Sequence, residues 1–233
     1  MLSSALSNTL SQLFAPRFRA VLWKSIGLTV VMLIGLWFAL QAANEAFLLP
    51  YLAAWPWAAT TVTWVLGAGL IIGLGFLIAP VTSVFAGVFL DDVADEVEKV
   101  HYPTDKPGTP LPLGQSIGIS LRFFALVLIG NFIALILALV LGLGIIIFFV
   151  LNGYLLGREY FQFAALRHHS MEEVTALRQR YGFEIFLAGL MIAALLSVPI
   201  VNLLTPLFAG ALMVHVYKAL NAKAVRAGAT ASA

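Results

Sequence analysis

The chain has 233 residues, of which 61% are hydrophobic and only 10% are charged, with a formal net charge of +2 at pH 7. Typical soluble domains are about 25% charged, so this composition excludes an ordinary water-soluble domain, and the small net charge gives no support for nucleic-acid binding. The sequence contains no cysteine, which excludes disulfides, thiol catalysis and cysteine-ligated metals.

Four long segments contain no Asp, Glu, Lys, Arg or His. A helix in water needs a polar face, so segments of this kind are predicted to lie in lipid. They predict an all-α integral membrane protein with a single membrane domain. The four segments are Ser25–Asn44, residues 46–90, Phe123–Gly157 and Ile185–Val214.

The N-terminal segment, residues 1–16, is predicted to be an amphipathic helix on the membrane surface. Its apolar residues recur at helical spacing with serines and an asparagine between them; they are Leu2, Leu6, Leu10, Leu13 and Phe14. A disordered polar leader is the alternative. The segment lacks the basic start and long apolar centre of a cleavable signal.

Residues 25–90 are predicted to form two long transmembrane helices. The run Ser25–Asn44 is long enough for one crossing of the ~30 Å hydrocarbon core. The chain then returns from about Trp57, where Trp55, Trp57 and Trp64 form the aromatic belt expected at a membrane surface.

The runs at 123–157 and 185–217 are too short for two membrane crossings and longer than one crossing needs. Each has helix breakers near its middle, namely Gly142 and Gly144 in the first and Pro199 and Pro206 in the second. We interpret both as helical hairpins that penetrate half of the bilayer, although a long tilted helix also fits.

Polar segments separate these hydrophobic runs. They are a loop at 91–122, an interfacial helix at 158–184 and a tail at 218–233. If both hairpins return to their starting side, all 13 Lys and Arg residues lie on one face, which the positive-inside rule makes cytoplasmic. Only Glu45 then lies on the other face.

Two polar stretches are predicted to form interfacial amphipathic helices. One has the apolar stripe Phe89, Val93, Val97 and Val100; the other has Met171, Val174, Leu177 and Tyr181. The acids of the first, from Asp91 to Glu98, indicate either a solvated helix face or a cation site. His168 and His169 would diverge by about 100° on a helix, which favours a loop or interface role over a shared metal.

Asn202 lies between Pro199 and Pro206 in an apolar run, where an unpaired amide would be costly. The prolines free backbone carbonyls that must face protein or water. The pattern fits either a broken helix beside an ion path or a structural turn closed by the Asn side chain. Glycines at 67, 69, 73 and 75 are predicted to allow close helix packing.

Three segments resemble the sulfate transporter CysZ and etoposide-induced protein 2.4 family, and the resemblance extends from about Arg17 to Ala219. The most specific is the Pro-x-x-Asn-x-x-x-Pro element within Val198–Pro206, which is followed by Ala209-Gly210-Ala211. The others are Ile78-Ala79-Pro80 with the later Asp95–Glu98, and Ala176–Arg180.

The resemblance implies a multi-pass protein of the bacterial inner membrane that takes up sulfate for cysteine synthesis and assembles as a homo-oligomer. It also implies two long transmembrane helices with half-penetrating hairpins. The family's anion site corresponds to Pro16–Arg19, where Arg19 matches a family arginine and Arg17 is its neighbour.

An anion site at Arg17 and Arg19 is physically reasonable. Arginine presents paired N–H donors to oxyanions, and a helix that begins at Pro16 adds free backbone N–H groups and a favourable dipole. Anchoring to anionic headgroups is the alternative use of these side chains.

The sequence predicts no enzyme and no cofactor, because it lacks paired His at metal spacing, a nucleophile elbow and a phosphate-binding loop. No charged residue lies in the middle of a hydrophobic run, where coupled transporters often keep one. The sequence thus favours sulfate or oxyanion uptake by a channel-like or secondary pathway. A non-transporting membrane-shaping or scaffold protein is the alternative.

Overall fold

A computed structural model describes residues 1–13, 15–52, 54–69, 89–112, 144–198 and 201–231, and the single positions 114, 118, 125, 129, 132 and 136. Every regular element among these residues is a helix, which confirms the predicted all-α class. Pro199, nearly half of the first predicted hairpin, and glycines 73 and 75 lie outside the described residues.

The N-terminal half contains helices α1 (Leu2–Leu13), α2 (Pro16–Ala43), α3 (Leu49–Leu52) and α4 (residues 56–69). A π-helical turn, Asn44–Leu48, joins α2 to α3 without a break. Helix α4 begins one residue before Trp57, and the return of the chain across the membrane from there stays a prediction. The first long helix is much longer than predicted, since the continuous candidate span is Pro16–Leu52.

The C-terminal half contains α5 (Leu90–His101), α6 (Gly144–Leu166), α7 (Met171–Arg180), α8 (Gly182–Leu196) and α9 (Thr205–Ala231). A 3₁₀ turn, Val201–Leu204, precedes α9. A capping box, in which Ser170 and Glu173 bond each other's backbone N–H groups, fixes the start of α7.

Contacts between Cα atoms divide the chain into two compact units, one of residues 1–22 and 86–233 and one of residues 23–85. In the first unit α9 is the central element, and α1, α5, α6 and α8 all pack against it. Its residues Leu212, Met213, Val216 and Leu220 are fully buried, so the core of this unit surrounds one apolar helix.

Helices α6 and α8 approach each other through glycines. A Cβ atom at Gly157 would lie 2.6 Å from the carbonyl oxygen of Ile185, and one at Gly189 would meet the carbonyl oxygen of Gly153. The close contact therefore depends on Gly153-x-x-x-Gly157 facing Gly189. Around Gly67 and Gly69, where we predicted such packing, no described atom lies within 4 Å of an added Cβ.

Helices α1 and α5 each bury only part of the predicted apolar stripe, together with polar residues outside it. Helix α1 buries Ala5, Thr9 and Gln12 against the protein, while Leu10 is 44% exposed. Helix α5 buries Val93 and Val97 as predicted, but Val100 is exposed and Glu98 is buried in its place. Polar partners in neighbouring helices favour the burial of these polar residues, which the apolar stripe alone does not reveal.

Helix α6 continues past the predicted segment end at Gly157, through Arg158 to Leu166, before the chain turns. Within the described residues three helices are long and apolar enough to cross a membrane, namely Pro16–Leu52, Gly144–Leu166 and Val201–Ala227. The pair α7 and α8 is bent by 89° and can form one broken span or a re-entrant loop. The half-penetrating hairpins stay a prediction.

Candidate functional site: a buried charge network and the start of helix α2

Three acids on one face of α5 surround a single buried arginine. Asp91, Asp95 and Glu98 follow one another at spacings of four and three residues, so they lie on the same side of the helix. Arg167, in the turn after α6, forms ion pairs with Asp91 and Asp95, and its Nη2 lies 3.4 Å from Glu98 Oε2. The arginine side chain is fully buried.

Glu98 connects this arginine to three other parts of the fold. Its Oε1 lies 2.7 Å from His168 Nε2 and 3.9 Å from Lys218 Nζ. Its Oε2 accepts a 3.0 Å hydrogen bond from the backbone N–H of Gly108. Lys218 also pairs with Asp105 at 3.2 Å, so the network ties the loop after α5 to both α6 and α9.

The surroundings change the acidity of these groups in opposite directions. Burial opposes the ionisation of Glu98, but hydrogen bonds from His168 and Gly108 and the charge of Arg167 outweigh it and lower the pKa of Glu98 to about 2. At Asp91 burial outweighs the nearby Arg167, so its pKa is raised. The carboxylates raise the pKa of Arg167 despite its burial.

A second polar layer lies between α1, the end of α5 and α9. The Gln12 side chain bonds His101 Nδ1 at 2.8 Å, and the Tyr102 hydroxyl lies 2.9 Å from His215 Nδ1. The His101 and His215 rings meet edge to face at 4.9 Å. Burial raises the pKa of Tyr102 to about 12, so its hydroxyl is neutral at physiological pH.

This network suits a structural clamp better than an anion site. It holds four carboxylates, those of Asp91, Asp95, Glu98 and Asp105, against two basic side chains, those of Arg167 and Lys218. Such a balance repels a dianion. Of the α5 acids only Glu98 is buried, while Asp92 is exposed and the others are partly exposed. The described part of the chain has no group of three or more potential ligands placed for a metal.

The basic element at the start of α2 lies where the sequence predicted it. Pro16 is the first residue of the helix, and Phe18 is buried between two exposed arginines. Arg17 pairs with Glu96 of α5, although its side chain remains 71% exposed. Arg19 is exposed and forms no ion pair with any residue that the structure describes.

The segment around Asn202 breaks the helical path between α8 and α9. Asn202 belongs to the 3₁₀ turn and is half-buried, and its backbone N–H donates to the carbonyl of Val198 at 3.0 Å. Pro206 is the second residue of α9, where a missing N–H breaks no helical bond. Asn202 thus lies in a 3₁₀ turn just before α9, and Pro199 lies outside the described residues.

Sequence reasoning did not identify Arg167, Lys218 or the Tyr102–His215 pair. The available signal was the i, i+4, i+7 spacing of Asp91, Asp95 and Glu98, which places three carboxylates together and requires a compensating cation nearby. Which cation compensates them depends on tertiary contacts between residues about 70 positions apart. The turn at His168 and His169 was correctly predicted, but not their bonds to Glu98 and Asn221.

The sequence was compared with known proteins. The family model described as sulfate transporter CysZ/etoposide-induced protein 2.4 matches residues 5–206, which is most of the chain. The comparison with curated proteins gave no match. The matched range includes the start of α2, the clamp around Arg167 and the 3₁₀ turn before α9.

Proposed function

Since this chain belongs to the sulfate transporter CysZ/etoposide-induced protein 2.4 family, we propose that it carries sulfate or a related oxyanion across the bacterial inner membrane. The pathway is channel-like or secondary, and the working unit is a homo-oligomer. Imported sulfate would supply sulfur assimilation. The protein acts as a transporter and not as an enzyme.

The observation that carries this proposal is the pair Arg17 and Arg19 in the first turn of α2. This helix is one of the three that are long and apolar enough to cross a membrane. Its first N–H groups have no carbonyl partners within the helix, and its dipole favours an anion at this end. Sulfate is a strongly hydrated dianion, and the two guanidinium groups at this helix start provide N–H donors that can replace the water molecules it loses on binding.

The ion pair between Arg17 and Glu96 is compatible with this role. Exposed pairs contribute only about 0–1 kcal/mol, so a doubly charged anion can compete with Glu96 for Arg17. Beyond this entrance, the break in the helical path at Asn202 and Pro206 provides polar backbone groups inside an apolar segment. We propose Pro199, Asn202 and Pro206 as the pathway element.

Uptake of radiolabelled sulfate into proteoliposomes tests the function. We expect wild-type vesicles to accumulate label above empty vesicles, and Arg19→Ala to reduce the initial rate by about tenfold, because one charged donor contributes about 1.5–3 kcal/mol. Arg17→Ala should reduce it less, and the exposed Lys106→Ala is the matched control.

The outcomes separate the site from the function. Uptake that is unchanged in Arg19→Ala would refute the anion site and leave transport intact. Folded, inserted wild-type protein that gives no uptake above empty vesicles would refute transport. That result would favour the membrane-shaping or scaffold alternative.

A further inference from the structure

Helix α1 is tied to the rest of its unit by one polar side chain, that of Gln12. Within the part of the chain that the structure describes, it is the only α1 side chain that hydrogen-bonds another helix. Thr9 is also buried, but its hydroxyl donates to the Ala5 carbonyl of its own helix at 2.8 Å. The α1 leucines that pack against the core are only partly buried; they are Leu2, Leu6 and Leu13. The docking of α1 therefore depends strongly on the bonds of Gln12.

Both ends of the Gln12 amide bond a histidine. Its Nε2 lies 2.8 Å from His101 Nδ1 at the end of α5, and its Oε1 lies 3.4 Å from His215 Nε2 on α9. An amide nitrogen can only donate and an amide oxygen can only accept, so His101 Nδ1 carries no proton and His215 Nε2 carries one. His215 Nδ1 then accepts from the Tyr102 hydroxyl, 2.9 Å away. Every one of these bonds is satisfied when both histidines are neutral.

We propose that a proton-sensitive latch holds α1 against α9 and the end of α5 at neutral pH and releases α1 in acid. The latch consists of four side chains, those of Gln12, His101, Tyr102 and His215. Only two residues separate the end of α1 at Leu13 from the start of α2 at Pro16, so release would change the segment that leads into Arg17 and Arg19. A consequence for anion entry rests on the proposed function, whereas the latch itself does not.

The latch can take up one proton but not two. A proton on His101 would point its Nδ1–H at the donating side of the Gln12 amide. Turning the amide over would relieve that contact, but it would present the NH₂ group to His215 Nε2, which must then be the acceptor. If His215 is charged as well, both of its ring nitrogens donate, and the single amide oxygen of Gln12 can face only one of the two rings. The ring centroids are 4.9 Å apart, so two positive charges would also repel each other.

The charged groups around the latch do not compensate for added protons. Helix α1 contains no charged side chain. On α9, Lys218 Nζ lies 5.6 Å from the centroid of the tyrosine ring of the latch, and it pairs with Asp105 in the loop after α5. Glu98 of α5 is paired with Arg167 and His168 from the turn after α6. Both of these carboxylates therefore already have basic partners outside the latch.

The direction of the effect follows from the number of protons that each state binds. The docked state excludes the second proton, whereas the two histidines can each bind one after α1 has left. Docking therefore weakens as the pH falls, by up to about tenfold in the equilibrium constant per pH unit for each additional proton. Gln12 is 6% and His215 is 2% exposed, so in the docked state water cannot replace a bond that the latch loses.

Pulsed electron paramagnetic resonance between two spin labels in the full-length protein tests the latch. The chain has no cysteine, so labels can be attached at Ser4→Cys in α1 and Ala176→Cys in α7, both at exposed positions. Histidine changes charge between about pH 5 and 8, so distances are measured at both ends of this range. We expect a narrow distance at the upper end and a broad one in acid, with at least about a tenfold rise in the ratio of released to docked molecules. An unchanged distance distribution would overturn the proposal.

Two variants should keep α1 docked in acid for different reasons. His101→Asn retains an oxygen that can accept from Gln12 but cannot become charged. Gln12→Glu supplies a carboxylate that accepts from both charged histidines. Ser11→Glu is the matched control, since it adds a carboxylate at an exposed position of the same helix and should keep the acid response.

The outcomes test the latch separately from transport. Loss of the acid response in either folded variant, together with its retention in Ser11→Glu, supports the latch, so one variant that folds is sufficient. Folded variants that release α1 like the parent protein, or a control that also loses the response, would overturn it. The measurement uses no sulfate, so its result stands whether or not proteoliposomes show uptake.

Discussion

Arg167 and Arg158 belong to the same end of α6 but have opposite surroundings. Both are arginines with a buried Nε that lacks a hydrogen-bond partner. Arg167 meets three carboxylates, and Gly108 fills the space beside it, where an added Cβ would lie 2.8 Å from Nε. Arg158 meets no carboxylate among the described residues and borders a cavity.

The comparison indicates what makes an arginine contribute to the fold. At Arg167 the protein provides the negative charge itself and leaves no space, so the charge stabilises the fold. Arg158 instead bonds the Tyr154 hydroxyl at 3.3 Å, makes no ion pair with the described residues and borders a cavity, so its charge contributes less to the fold. Breaking each environment in turn should therefore change the free energy of unfolding by different amounts.

The largest expected effect is the loss of stability in Arg167→Met. Removing the fully buried cation leaves Asp91, Asp95 and Glu98 mutually repelling, and breaking a buried pair costs about 3–5 kcal/mol. Unfolding of the protein in detergent micelles measures this free energy. Arg180→Met is the control, and a loss below about 1 kcal/mol in Arg167→Met would show that the network does not clamp the fold.

Next in size is Glu98→Gln, whose effect should depend on pH. The pKa of Glu98 falls from 4.5 to about 2 on folding, so its charge stabilises the folded state above pH 4.5. This contribution is lost as the pH falls from 4.5 towards 2. At pH 7 Glu98→Gln should cost about 3 kcal/mol, and the wild-type advantage should shrink over that acidic range.

Asp91→Asn provides the contrast within the same network. Because burial raises the pKa of Asp91, its ionised form is disfavoured on folding, and neutralising it should cost much less at pH 7. The free energy of unfolding of both variants, measured from pH 7 to pH 3, checks the difference. If Asp91→Asn and Glu98→Gln lost equal free energy of unfolding at pH 7, this would contradict the raised pKa of Asp91 and the lowered pKa of Glu98.

The packing of α6 against α8 depends on their glycine contact. In Gly157→Ala the new Cβ would press on the Ile185 carbonyl at 2.6 Å, and overpacking of this kind costs about 1–3 kcal/mol. Gly35→Ala, where nothing lies within 4 Å of the added Cβ, is the control. An unchanged free energy of unfolding in Gly157→Ala would show that the helix contact tolerates the added methyl group.

Much of the fold could be predicted because lipid imposes a simple rule on sequence. The charge-free runs identified a helical membrane protein, and Pro16, Trp57 and the stripe around Val174 indicated where helices begin or pack. The register of polar contacts could not be predicted. Glu98 is buried because Arg167 and His168 contact it, and Gln12 is buried because His101 contacts it. These partners come from distant segments, so no local sequence pattern predicts the contacts.

The candidate sites show the same limit. Arg17 and Arg19 were found because a basic element before a long helix is visible in the sequence. Arg158 and Arg178 look like ordinary anchors at helix ends, and only the 89° bend between α7 and α8 brings the start of α8 beside both of them.

The smallest expected effect on stability is that of Arg17→Ala. Arg17 extends the comparison because it is an arginine that is paired but exposed. Like Arg167 it pairs with an acid of α5, but its side chain is 71% exposed, so water and salt screen the attraction. The variant should lose at most about 1 kcal/mol in unfolding experiments, and less at 1 M salt. A loss as large as that of Arg167→Met would mean that burial is not what distinguishes these arginines. If instead stability is nearly unchanged while sulfate uptake falls, Arg17 contributes to the anion entrance and not to the fold.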